Sequence, residues 1–233
     1  LRNAFINTLT HEIRSPLTAI KAGMEIWTKN PDSPLVKQEN LPNMIQNNVN
    51  RLIHLINEVL DYQNIDNQTF QDFFTLQSIN KLIQEIVENF QNSMEEKDIQ
   101  LHLHLDDTIQ KSWFYRDKIS QVLIQLINNA LNSTNYGQIT ISTLLKRNII
   151  QVSVSDTGVG IDQESQKKLF DTFFQINPSS RDDSGLGLAK SRKIIERHGG
   201  SIWVDSKPFQ GSSFYFTIPY DILSKNSNGM NKK

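Results

Sequence analysis

The segment His11-Glu12-Ile13-Arg14-Ser15-Pro16 sets an imidazole beside a carboxylate. Histidine leaves a neutral, nucleophilic nitrogen available near neutral pH. On a helix Glu12 lies about 100° round from His11, close enough to accept the ring N–H or to orient the ring. Pro16 removes the helical hydrogen bond toward residue 12 and loosens the backbone beside His11. A zinc reading fails, because H-E-x-x-H requires a second His where Ser15 stands. Taken alone, the same residues also fit a solvent-facing His-Glu pair.

Three further constellations bear on chemistry. Asp156-Thr157-Gly158-Val159-Gly160-Ile161 follows a strand pattern. A carboxylate ahead of two glycines suits backbone passing closely around a flat ligand, with the carboxylate accepting from an exocyclic amine. An ordinary Asp-capped turn fits equally. Ser184-Gly185-Leu186-Gly187-Leu188-Ala189 opens a helix. Free N–H groups and small residues there favour phosphate, or simply close packing on a sheet. Gln125 and Asn129 stand four apart on one helical face, where amide oxygens suit Mg²⁺ or merely a polar surface. No G-x-x-x-x-G-K-[ST] loop is present.

The elements that must position these residues follow from composition and period. The chain has 233 residues, with 24 Lys+Arg against 25 Asp+Glu and a net charge of −1. That balance supplies no whole-chain footprint for nucleic acid or an acidic membrane. Hydrophobic residues make up 37%, enough for a core, and cysteine is absent. Disulfides, thiol nucleophiles and Cys-ligated zinc are thereby excluded, and a cytoplasmic location suits the composition. No apolar run approaches membrane-spanning length. The chain opens on Leu1 with a helical pattern already running, so it reads as part of a longer protein, with any membrane anchor upstream.

The expected fold class is α+β: a helical hairpin forming a dimeric four-helix bundle, then an α/β sandwich domain. Phe5, Leu9, Ile13, Leu17, Ile20 and Met24 define one face of a helix over 1–29. Asn30–Leu35 holds breaker residues, and a second helix runs from about Val36 to Ile65, with Pro42 as a kink or first turn. One hairpin cannot bury both apolar faces, so a second copy is expected. Beyond Gln68 the pattern predicts a strand at Phe73–Leu76, a helix from Ser78 to Lys97 and a strand at Ile99–Leu105. A helix at Arg116–Asn132 and a strand pair at 138–145 and 149–155 follow. The last elements are a helix from Ser184 to His198 closed by Gly199-Gly200, and strands at 201–206 and 212–218. The domain bounds expected are 1–66, 67–222 and a polar tail over 223–233.

In their order along the chain these motifs resemble the sensor histidine kinases of two-component signalling, over nearly all of residues 1–222. His11–Pro16 is similar to that family's phosphoacceptor box, Asn129 to its Mg²⁺-binding Asn, and Asp156, Gly158 and Gly160 to its first glycine box. Leu169-Phe170 through Phe173-Phe174 resembles the aromatic box before the ATP lid, and Ser184–Ala189 the second glycine box. The resemblance implies that His11 takes the γ-phosphate of ATP with Glu12 assisting, and that the phosphoryl group passes to a response-regulator aspartate. It implies ATP and Mg²⁺ as cofactors, a homodimer, a receiver-domain partner and no nucleic acid. Asn129, Asn132, Asp156, Gly158, Gly160, Ile161, Phe174, Arg181, Ser184, Gly185, Leu186, Gly187 and Leu188 then contact ATP; Asn129 and Gln125 hold the metal. Ser15 falls at the position linked to phosphatase activity.

Several residues depart from the family pattern. Gln125 replaces a second Asn, Asn132 a frequent Lys and Asp183 the first glycine of the second box, while Gln175 stands where many members carry Arg. Competent but slow autophosphorylation is expected, with Arg181 compensating. The alternative is a degenerate kinase acting as a dimeric scaffold for a receiver protein. His54, His102 and His104 read as surface residues, His198 as a helix C-terminal group, and Trp27, Trp113 and Trp203 as packing residues.

Overall fold

The computed structural model describes residues 2–29, 40–67, 70–176 and 184–220. The chain divides into two compact units, residues 1–66 with 171–187, and residues 67–170 with 188–233.

The first unit is built on α1 (Arg2–Lys29) and α2 (Asn40–Asn67). The expected start at Val36 and the Asn30–Leu35 connection lie outside the described residues. Pro42 sits in the first turn of α2, where its missing N–H costs nothing. Pro16 is inside α1 and the helix runs through it. Gly23 permits the helices to meet, since a Cβ there would stand 2.8 Å from Ile45 Cγ1. Leu55, Val59 and Leu186 are buried, with Phe5, Leu9, Ile13 and Phe173 packed against them. The apolar stripe of α1 divides, however: Leu17 and Met24 remain 47% and 48% exposed. Trp27, expected to pack, is likewise 41% exposed. A two-helix hairpin has a single inner face, and these side chains lie off it.

The second unit carries a five-stranded mixed sheet in the order β2-β4-β5-β7-β6. Its strands are β2 (Ile99–His104), β4 (Gly137–Lys146), β5 (Ile149–Asp156), β6 (Ile202–Ser206) and β7 (Ser212–Pro219). β2 pairs parallel to β4, and the other pairs are antiparallel. Every second residue faces the core, as a period of two requires: Ile139 and Ile141, Ile150, Val152 and Val154, Phe214, Phe216 and Ile218 are all buried. Across from them lies α5 (Arg116–Ser133), whose Ile119, Val122, Leu123, Leu126, Ile127 and Leu131 are buried as its period predicts. A small antiparallel pair joins β1 (Thr75–Gln77) to β3 (Ser112–Phe114).

Several elements differ from the sequence pattern. Phe70–Phe73 forms a 3₁₀ turn, so the strand begins only at Thr75. Ser78 caps its helix through a bond from the Lys81 N–H, but that helix is broken into α3 (Ile79–Glu88) and α4 (Gln91–Glu95). The break is a tightened turn, in which the Asn89 N–H reaches the Ile86 carbonyl at 3.1 Å. β3 and α6 (Gln163–Lys168) carry no pattern long enough to read. The last helix, α7, spans Gly187–Arg197 rather than starting at Ser184, because Gly185 is at φ +68°. It closes as expected: Gly199 is at φ +78°, and the Gly200 N–H returns to the Ile195 carbonyl at 3.0 Å.

Candidate functional site

In the first unit His11 stands on the open surface of α1, with 78% of its side chain exposed. Its Nδ1 lies 3.8 Å from Glu12 Oε1. Glu12 Oε2 in turn lies 3.5 Å from Arg51 Nη2 on α2. The carboxylate therefore lies between a ring nitrogen of His11 and a guanidinium from the facing helix. Ser15 is exposed one helical turn later. Arg51 was not singled out in the sequence; its signal is its place on the facing helix, which no periodicity reveals.

The 171–187 segment of the same unit holds part of the second glycine box. The Phe173 N–H donates to the Gly185 carbonyl at 2.8 Å, and Phe173 itself adopts φ +64°. A Cβ at Gly185 would stand 2.6 Å from the Phe173 carbonyl carbon, so only glycine closes this contact. Phe173 packs 5.1 Å from Phe5, ring to ring. Ser184 Oγ accepts the Leu186 N–H at 3.2 Å. The Leu186 side chain is buried in the hairpin core, so only its backbone is left to face a ligand. Phe174 and Gln175 are half-buried. Gly187 is the first residue of α7. Arg181, Asp183 and the rest of the expected lid over Asn177–Asp183 lie outside the described residues.

The second unit gathers the remaining nucleotide candidates. Gln125 and Asn129 share a face of α5, where Gln125 Nε2 donates to Asn129 Oδ1 at 3.0 Å. The extra methylene of Gln125 thus lets it fix the Asn129 amide, whose oxygen keeps a second lone pair. Asn132 is exposed. Asp156 ends β5 and is only 6% exposed. Its Oδ1 accepts the Gly158 N–H at 2.8 Å, while its Oδ2 is buried without a hydrogen-bond partner. Burial pushes the carboxyl pKa above the usual carboxylate range, against the pull of the Gly158 N–H. Ser133 and Ser212 lie close enough to oppose that rise weakly, yet neither gives Oδ2 a hydrogen bond. A buried acceptor without a donor is costly in the free protein and is ready-made for an exocyclic amine.

The glycine turn itself is wedged on both sides. A Cβ at Gly158 would stand 2.2 Å from the Ser133 carbonyl oxygen, and one at Gly160, at φ +68°, 2.0 Å from that of Lys207. Ile161 is 8% exposed. Leu188 is half-buried on α7. Among the described residues no group of three or more His, Cys, Asp or Glu side chains could hold a metal ion alone. His198 is not part of this region. It is a buried core histidine, with Nε2 accepting the Tyr115 N–H at 3.1 Å and Nδ1 facing the Ile194 carbonyl at 2.7 Å. It does serve the C-terminal turn of α7, but as a neutral ring, since burial lowers its pKa.

Comparison with known proteins finds two family matches along the chain. Residues 1–68 match the family described as the His Kinase A (phospho-acceptor) domain. Residues 114–222 match the histidine kinase-, DNA gyrase B-, and HSP90-like ATPases. The adaptive-response sensory kinase SasA of Crocosphaera subtropica is 37% identical over 220 residues, covering 91% of this chain and 57% of that protein. The chain thus spans little more than half of that relative. The crystal structure of histidine kinase ThkA in complex with the response regulator protein TrrA superposes with a TM-score of 0.72 at 30% identity, over 92% of this chain and 60% of that one. A structure of the ThkA catalytic domain alone matches at 33% identity and TM-score 0.57, over 64% of this chain and 96% of that domain.

Proposed function

Since the chain belongs to the sensor histidine kinases of two-component signalling, we propose that it phosphorylates itself on His11 from ATP and passes the phosphoryl group to an aspartate of a response-regulator receiver domain. The observation that carries the ATP reading is the unpartnered, buried Oδ2 of Asp156 at the head of a glycine turn. That acceptor fits the exocyclic amine of adenine and rejects the carbonyl of guanine.

The neutral His11 ring attacks the γ-phosphorus through Nε2. The N–P bond forms as the bond to the bridging oxygen breaks, and ADP leaves with that electron pair. Glu12 accepts the Nδ1 proton and is itself held by Arg51. Little covalent chemistry falls to the protein, so positioning of His11 and the phosphates supplies most of the rate. Mg²⁺, when bound, neutralises charge on the phosphate chain. The amide pair Asn129–Gln125 is an oxygen donor set suited to it, and among the described residues no cluster of three or more acidic or histidine side chains would hold it alone. Asn132, Phe174, Arg181, Ser184, Gly185, Gly187 and Leu188 complete the proposed nucleotide contacts, and Ser15 is positioned to influence dephosphorylation.

Residues 1–66 serve in this reading as the dimerisation and phosphotransfer domain and 67–222 as the ATP-binding domain. A homodimer accounts for the apolar side chains left on the hairpin surface, where Ile53 and Leu60 are 53% and 51% exposed along with Leu17 and Met24. The receiver partner is supported by the ThkA complex with its regulator TrrA. Among the described residues no helix is long and apolar enough to cross a membrane, and a cytoplasmic position gives the core access to ATP. Incubation with γ-labelled ATP tests the proposal. Acid-labile label is expected on the wild-type chain and not on His11→Gln; label retained by the variant contradicts the assignment.

A further inference from the structure

The turn that carries Asp156 is gripped from outside its own motif. Ile161, its last residue, has both backbone polar groups taken by side chains, one from five positions on and one from 45 positions away. Its N–H donates to Ser206 Oγ at 2.8 Å, and its carbonyl accepts Gln166 Nε2 at 2.8 Å. Gln166 Nε2 also donates to the Ser206 carbonyl at 2.9 Å. The Ser206 hydroxyl donates to the Gly211 carbonyl at 2.9 Å and lies 2.9 Å from Ser212 Oγ. Gln166 thus ties α6 to the end of β6, and Ile161 lies between them.

The same hairpin end closes on the turn elsewhere. The Phe209 N–H donates to the Val159 carbonyl at 2.7 Å. Gly211, at φ +83°, passes so close that a Cβ would stand 1.9 Å from the Asp156 carbonyl oxygen. Asp156 is therefore located by two supports, β5 from which it emerges and the β6–β7 connection that holds the turn after it. Selectivity by a single carboxylate oxygen depends on that placement, because a hydrogen bond weakens steeply with misdirection.

We infer that Gln166 and Ser206 form a clamp that positions the Asp156 turn and thereby sets the discrimination of adenine from guanine nucleotides. Both are positioning residues: neither touches the base, and each acts through the backbone of Ile161. The inference rests on the nucleotide reading given above and assigns to it residues that lie outside the glycine boxes. With the clamp released, the turn relaxes, Oδ2 swings from the line of the exocyclic amine, and a guanine carbonyl is no longer held against it.

The test is calorimetric titration of the 233-residue chain with ATP and with GTP, each with Mg²⁺, for wild type, Ser206→Ala, Ser206→Thr and Gln166→Leu. Thermal melts establish that each variant is folded. Loss of one or two neutral hydrogen bonds predicts a fall of about tenfold in the ATP-to-GTP affinity ratio for Ser206→Ala and for Gln166→Leu. Ser206→Thr keeps the hydroxyl and should keep the ratio within about twofold of wild type. A purely structural role lowers the folded fraction without changing the ratio. Wild-type discrimination retained in both folded variants overturns the clamp while leaving the nucleotide reading intact. A wild type that binds neither nucleotide overturns that reading and the clamp with it.

Discussion

Asp156 gives one carboxylate oxygen to the Gly158 N–H, at 2.8 Å, and holds the other buried with no donor. The asymmetry makes Asp156→Asn informative. The asparagine oxygen can keep the bond to Gly158, but its NH₂ then faces the place of the adenine amine. Nucleotide affinity should fall by about ten- to a hundredfold, the worth of a hydrogen bond to a charged group. Unchanged affinity in titration calorimetry would place the base elsewhere.

The raised pKa of Asp156 has a consequence for the ligand-free protein. A carboxyl whose folded pKa lies above its unfolded value of 3.8 stabilises the fold below that value. The contribution is lost as pH rises through the folded pKa. Asp156→Asn replaces a carboxyl whose charged form burial disfavours with a neutral amide. The variant should melt at a higher temperature than wild type without nucleotide, and the difference should shrink toward acid pH. A lower melting temperature at neutral pH contradicts this account.

His198 sets the opposite pH dependence. Its ring stacks on Phe74 at 5.0 Å and meets the edge of Phe70 at 5.4 Å, and burial lowers its pKa from 6.5. A group that folds neutral contributes stability above its unfolded pKa and loses it as pH falls through the lowered folded value. Melting temperatures should drop on acidification below about pH 6.5, and His198→Gln should remove that slope. Asp106 and Asp162 also have lowered pKa values, from 3.8, through bonds from Thr108 and from Ser165. Their contributions are lost only at more acid pH, so the windows separate.

Gly160→Ala should be damaging on two counts. It places a Cβ at φ +68° and drives it toward the Lys207 carbonyl. Backbone strain of this kind costs about 1–3 kcal/mol, and the displaced turn should also lose nucleotide binding. Denaturant unfolding and titration of the same sample would check both; a variant with wild-type stability would show that the turn has room it is not expected to have.

The exposed face of the hairpin leads to a prediction about assembly. Glutamate at both Leu17 and Ile53, now 47% and 53% exposed, should convert a dimer to a monomer in light scattering, since buried like charges oppose association. A double variant that keeps the wild-type mass would place the interface on another surface.

What was legible in the sequence had a long period or a strong punctuation mark. α5 could be read residue by residue because six inward positions repeat over more than three turns, and the Gly199-Gly200 stop because a left-handed residue must close the helix. Periodicity does not say what covers an apolar stripe, which is why Leu17 and Met24 were grouped with Phe5 and Ile13 yet stand exposed. The break at Asn89 has no Gly or Pro to announce it, and β3 is too short to have a pattern. The candidate site residues stand out as motifs, but the contacts that hold them do not. Ser206 meets Ile161 from 45 positions away, and Arg51 meets Glu12 across the hairpin. Such contacts are side chain to backbone or helix to helix, and no local spacing encodes them.

The central claim is that His11 accepts phosphate from ATP held by the Asp156 turn. Mass spectrometry of the ATP-treated chain, digested and separated at neutral pH, tests it directly. The account predicts a phosphorylated peptide containing His11, lost on brief acid treatment and absent from Asp156→Asn. Phosphate located on another residue, or none despite measurable ATP binding, would contradict it.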